Sequence, residues 1–273
     1  MQKTEQQLRE EIVRIGQLMF EKGWVAANDG NISARLPDEE GEARLLATPT
    51  GVCKGMMQPD DMIVTDLDGN RVRGTRNRTS EMEMHTTIYR ARPDISAVVH
   101  AHPPAATGFA VAGRALNVGV LPEVIVCLGA IPLAEYGEPG TSALCEGMRP
   151  YLPKFDALLL ANHGAVAYAD DLFRAYHRME TVEHSARILR SAVLGVEVMR
   201  QAAVSATASP GDIWAGHAAE CTCRREWYDA PSRPVSPALR DVGRGRVLPE
   251  SPRSPWWPPR PRPTRLTWRL RPP

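Results

Sequence analysis

The sequence predicts an α/β fold, built as a mixed, mainly antiparallel sheet with helices on both faces. Three observations point there. Apolar residues at three- and four-residue spacing alternate along the chain with short β-branched runs. The turn signal Asp68-Gly69-Asn70 joins two strand-like segments directly, with too little chain for a crossover, so that pair is antiparallel. Ala157–Leu160 is apolar at every position, as expected of a strand covered on both faces.

In chain order, Gln6 to Lys22 is expected to be a helix. Leu8, Ile12, Ile15, Met19 and Phe20 form its apolar stripe, and Gly23 stops it. Asn28 to Arg35 is a turn-rich stretch leading into a strand. Short strands follow at Arg44–Ala47 and Met62–Asp66, with a turn at Thr48–Gly51, and the hairpin continues into Arg71-Val72. Ser80 is expected to open a helix, with Glu83 completing a capping box. That helix ends near Ala91, ahead of Pro93. Ile95–His100 reads as a strand and Pro104–Ala112 as a helix of small residues. Val124–Gly129 and Ile131–Leu133 flank a turn. Thr141–Tyr151 reads as a helix, and Leu172 to about Val204 as one or two long helices. Tyr176, Met179, Val182, Ala186 and Leu189 share one face of that last segment.

The 273 residues are 43% hydrophobic and 24% charged, enough for one sizeable domain and extra sequence. No apolar run approaches the roughly 18 residues of a membrane span, and Met1–Glu11 lacks a signal-peptide core. The five cysteines have no framework spacing, which points to a reducing cytoplasm. Cys221-Thr222-Cys223 is too tight for a usual zinc hook. The net charge of +1 hides an asymmetry: residues 221–273 hold 12 Arg, no Lys, 4 acids and 12 of the 24 Pro. Residues 211–273 therefore read as a disordered tail after a catalytic domain at 1–210. Arg, Pro and Trp without Lys fit a shifted reading frame in GC-rich DNA better than a selected RNA- or membrane-binding arm. Neither nucleic acid nor membrane is an expected partner.

Three histidines carry the chemistry. His100 and His102 close an apolar run, and a strand's period of two puts both imidazoles on one face. His163 follows the second apolar run, beside Gly164, where a glycine permits close backbone approach or a positive φ. Three converging imidazoles would make an open metal site, with a position left for water or substrate. Each also has a plain structural reading as a buried histidine. Glu81 is either the acid–base group of that site or a first-turn carboxylate facing the helix dipole. Thr79 and Ser80 are caps or anion ligands, and Gly30-Asn31 and Thr50-Gly51 are turns or amide nests for a phosphate. His85, His177, His184 and His217 read as helix-face or surface residues.

Taken together and in this order, the motifs are specific. The chain resembles the class II aldolase/adducin family through Asp29-Gly30-Asn31-Ile32-Ser33, Thr48-Pro49-Thr50-Gly51-Val52, Ser80-Glu81-Met82-Glu83-Met84-His85, Arg92-Pro93-Asp94 through His102, and Asn162-His163-Gly164. The resemblance implies an α/β/α sandwich and a cytoplasmic homotetramer with its site at a subunit interface. It implies His100, His102 and His163 as ligands of one Zn2+ per subunit, or another divalent cation, with Glu81 as acid–base. Gly30, Asn31, Thr50, Gly51, Thr79 and Ser80 match the phosphate-binding positions. The implied reaction is retro-aldol cleavage of a ketose 1-phosphate such as L-fuculose 1-phosphate, giving dihydroxyacetone phosphate and an aldehyde. Epimerisation, dehydration or hydroxy-acid decarboxylation on the same metal site are the alternatives, ahead of a non-catalytic interaction module. Two departures stand out. Asn28-Asp29 precedes Gly30-Asn31, placing a carboxylate beside the phosphate positions. Glu123 stands where a bacterial fuculose-phosphate aldolase places a Tyr from the neighbouring subunit, so Glu123 is the expected aldehyde-side proton donor.

Overall fold

A computed structural model describes residues 3–36, 42–117 and 121–205. The tail at 211–273, with Cys221, Cys223 and His217, lies outside these residues. The chain begins with α1 (Glu5–Glu21), whose N-cap Thr4 forms a capping box with Gln7. Leu8, Ile12, Ile15 and Met19 are buried, while Phe20 sits at the edge of the stripe, 44% exposed. The remaining elements are β1 (Asn31–Arg35), β2 (Leu45–Ala47), β3 (Ile63–Thr65), β4 (Arg71–Arg73), α2 (Met82–Ala91), β5 (Ala97–Ala101), α3 (Pro104–Val111), α4 (Pro122–Cys127), β6 (Leu133–Ala134), α5 (Ser142–Met148), β7 (Ala157–Leu160), β8 (Gly164–Ala169) and α6 (Leu172–Ser205).

The eight strands form one sheet in the order β4-β3-β2-β1-β5-β8-β7-β6. Every pair is antiparallel except β6 with β7. The period-two alternation divides the side chains between two cores. Ile32, Leu46, Val99, Ala165 and Ala167 pack with α1, α3, α4 and α6. Leu45, Val98, Leu160, Val166 and Tyr168 pack with α2 and α5. Helices thus cover both faces, in three layers.

Three expectations change. Ser80 and Glu83 form no capping box: α2 begins at Met82, and Glu81 occupies the N-cap without a side-chain capping bond, its carboxylate turned instead to the histidines. The apolar segment at Val124 lies in a helix, α4, started by Pro122 and ended before Gly129 at φ +70°. The sequence reading assigns no strand to Gly164–Ala169, which forms β8 at the sheet centre. Its wholly apolar composition carries no alternation to mark it.

Candidate active site

The site is built where β5 meets β1 and β8. His100 stands opposite Asn31 on β1 and Val166 on β8. Asn31 and Ser33 alternate with Ile32 and Ala34, which belong to the α1/α6 core, so the polar pair and His100 face α2. Register thereby brings residues from three distant segments together under the start of α2.

His100 is fully buried, and its Nδ1 lies 2.9 Å from the Ala165 carbonyl oxygen. A proton on Nδ1 donated to that oxygen leaves Nε2 as the free lone pair. His102 Nε2 lies 3.2 Å from His100 Nε2. His163 completes the group between β7 and β8, with ring centroids 4.7 Å from His100 and 5.1 Å from His102. One ligand nitrogen of each lies within 4.8 Å of the others. Of the two readings the sequence allowed for Gly164, the structure takes close approach. Asn162, not Gly164, takes the positive φ, at +54°. Gly164 serves close approach: a Cβ there would lie 2.6 Å from both the Ala101 carbonyl oxygen and His102 Cδ2.

Glu81 enters this cluster from above. Its Oε2 lies 3.3 Å from His100 Nε2 and accepts a 2.7 Å hydrogen bond from Asn31 Nδ2. Its Oε1 lies 3.1 Å from His163 Nε2, oriented so that it has no hydrogen-bond partner among the described residues. His163 Nδ1 is likewise buried and unpartnered there. Burial would raise the Glu81 pKa, but His100 and His163, when protonated, outweigh it and hold the carboxyl below its usual range. Burial, with the neighbouring His100 and His163, pushes His102 down to about 4, so its ring is neutral and able to donate a lone pair. Three imidazoles, a carboxylate and orphaned buried polar atoms fit a divalent cation: nitrogen donors this close repel unless a proton or a metal lies between them.

His85 is a correction to the sequence reading. It is 1% exposed rather than a surface residue, whereas His177 and His184 are exposed as expected. Its Nε2 meets Asn31 Oδ1, and its Nδ1 lies 2.6 Å from Ser33 Oγ, itself 2.9 Å from Tyr89 Oη. Burial and the nearby His100 lower its pKa to about 3, so the ring is neutral. A neutral ring has one N–H, and donation to Asn31 Oδ1 requires it on Nε2. The bonds then run one way: Tyr89 to Ser33, Ser33 to His85, His85 to Asn31, and Asn31 to Glu81. This fixes the Asn31 amide with its Nδ2 toward the carboxylate. The available signal was spacing, since His85 follows Glu81 by one helical turn and shares its face. His85→Leu strands the Asn31 and Ser33 groups, so a stability loss of about 1–3 kcal/mol per orphaned group is expected, read by urea unfolding.

The positions expected to bind phosphate also lie near one another. Asn31 Nδ2 lies 3.3 Å from Thr79 Oγ1, Pro49 forms a bridge with Arg78, and Thr50 N donates to the Asn77 carbonyl. Gly30 and Gly51 take φ of +70° and +74°. Thr79 is buried at this junction, while Thr50 and Ser80 are exposed at its rim. Asp29 is turned toward His102, its Oδ2 3.6 Å from Nδ1. Glu123 is exposed on α4, without a hydrogen bond or ion pair among the described residues, so it does not join the cluster within one chain.

The family described as the class II aldolase and adducin N-terminal domain matches residues 10–189. The 3-oxo-tetronate 4-phosphate decarboxylase of Escherichia coli K12 is 34% identical over 191 residues, covering 68% of this chain and 88% of that protein. The L-fuculose phosphate aldolase of Methanococcus maripaludis is 32% identical over 178 residues, covering 65% and 93%. Among solved structures, YgbL of Klebsiella pneumoniae superposes with a TM-score of 0.64 at 34% identity, covering 69% of this chain and 91% of that one. The L-fuculose-1-phosphate aldolase of Thermus thermophilus gives 0.61 at 28%, covering 70% and 96%. With the sandwich, the histidine cluster and its carboxylate in place, these matches show that the chain belongs to the class II aldolase and adducin family, among its metal-dependent lyases.

Proposed function

We propose that the chain breaks a carbon–carbon bond next to the carbonyl of a phosphorylated substrate, with retro-aldol cleavage of a ketose 1-phosphate as the leading reaction. The observation that carries this reading is the pairing of three converging imidazoles with one buried carboxylate whose Oε1 has no partner among the described residues. His100, His102 and His163 would hold a divalent cation, zinc by the all-nitrogen donor set, which would supply a Lewis acid for charge developing on a substrate carbonyl oxygen.

The chain's own residues do the rest. Asn31 grips Glu81 Oε2 and leaves Oε1 to move the proton at the carbon that keeps the electron pair when the bond breaks. A carboxylate held below its usual range is a weak base, so Glu81 must leave the imidazoles before it accepts a proton. The Gly30-Asn31, Thr50-Gly51 and Thr79-Ser80 loops bind the phosphate by backbone amides and hydroxyls. Retro-aldol cleavage also removes a hydroxyl proton from the departing aldehyde. Glu123 meets that need only from a neighbouring subunit, in a homotetramer whose mass light scattering would reveal. The free Cys53, Cys127 and Cys145 support a cytoplasmic setting.

Decarboxylation of a phosphorylated 3-oxo acid is the second reading. Carbon dioxide leaves the same electron pair on the same carbon and needs no aldehyde-side group, and the relative at 34% identity carries that activity in its name. The test supplies zinc-loaded full-length chain with ketose 1-phosphates, including L-fuculose 1-phosphate, and with 3-oxo-tetronate 4-phosphate. Dihydroxyacetone phosphate together with an aldehyde, released from a ketose 1-phosphate, is the expected result. Carbon dioxide together with dihydroxyacetone phosphate, released from 3-oxo-tetronate 4-phosphate while the ketose 1-phosphates stay uncleaved, moves the assignment to the second reading, and turnover of neither substrate overturns both.

A further inference from the structure

Lys54 is 1% exposed, yet forms no ion pair among the described residues. Its Nζ donates to two backbone carbonyls, Asn28 at 3.1 Å and Val52 at 3.0 Å. Asn28 lies two residues before Gly30, and Val52 follows Gly51, so the ammonium joins the two glycine loops from behind. Burying a lysine without a carboxylate is costly, and burial pushes its pKa down to about 8 against the opposing pull of Cys53, Asp29 and Glu81. Two carbonyls satisfy two of its three donors but do not neutralise its charge. Asp29, the carboxylate next to Asn28 in sequence, is turned toward His102 instead. A cation held in this way has its charge answered when an anion settles between the loops it joins.

We infer that Lys54 is a positioning residue of an anion subsite: its ammonium ties the Asn28 and Val52 carbonyls together, sets the spacing of the Gly30 and Gly51 loops, and favours a phosphate dianion between them. This rests on the phosphorylated substrate proposed above. A methionine at this position would keep most of the side-chain volume and remove both the bonds and the charge. A glutamine would remove the charge and keep two N–H donors, on a side chain one bond shorter.

The experiment titrates inorganic phosphate into full-length zinc-loaded wild type, K54M and K54Q by calorimetry, with circular dichroism confirming fold and metal content measured alongside. K54M is expected to weaken phosphate binding about tenfold or more, with bound zinc unchanged. K54Q is expected to lie between it and wild type, and to keep the test open should K54M not fold. With a phosphorylated substrate, KM should rise by a similar factor while kcat stays within about threefold, a split that general loosening of the site would not give. Wild-type-like phosphate affinity in the folded variants overturns this inference and leaves the phosphorylated-substrate reading standing. Absence of phosphate binding by wild type overturns that reading and this inference with it.

Discussion

Glu81→Gln is expected to lower turnover by about 10²–10⁴-fold, the usual range for losing a positioned acid–base group, while bound metal stays near one equivalent per chain. The glutamine is isosteric and can still accept the Asn31 bond, so the architecture around Oε2 persists. What is lost is a group able to take a proton at Oε1, the oxygen without a partner among the described residues. Single-turnover kinetics and elemental analysis on the same sample separate the two effects. Near-full activity in this variant would move proton transfer to another residue. Loss of metal with activity would make Glu81 a ligand first and a base second.

His163→Ala is expected to abolish metal retention and activity together. Removing one of three imidazoles leaves His100 and His102, on one strand end, without the third direction that closes the site. Chelator treatment should lower the thermal midpoint of wild type, because a ligand that binds only the folded state adds to its stability. The same treatment should leave the midpoint of His163→Ala unmoved. In wild type, metal retention should weaken as pH falls, since protons compete for the ligand nitrogens. If His163→Ala held zinc as wild type does, the three-imidazole assignment would be wrong.

Local pattern identified the strongest parts of this protein. The spacing of Leu8, Ile12, Ile15 and Met19 marks α1 and its buried face, and the run to His100 marks β5. The His-x-His pair is likewise a local signal, because strand geometry dictates that its rings share a side. The helix starting near Glu81 was visible, but its first turn was not. A capping box at Ser80 is the best local solution, and the histidine cluster overrides it by holding the carboxylate at the N-cap. Strand β8 escaped because a wholly buried strand and a buried helix segment look alike in sequence.

The alternation of elements, the family, the three histidines and Glu81 are legible in the chain, since each rests on residues close together or on motifs in a set order. What those residues meet depends on long-range packing. Pairing of β1 with β5 sets Asn31 against His100, α2 brings His85 onto Asn31, and the packing of two loops buries Lys54 between their carbonyls. Lys54 and Asn28 lie 26 positions apart, and His85 and Asn31 lie 54 apart. No periodicity or propensity reports on such distances, because strand register and loop packing are set by the whole core at once.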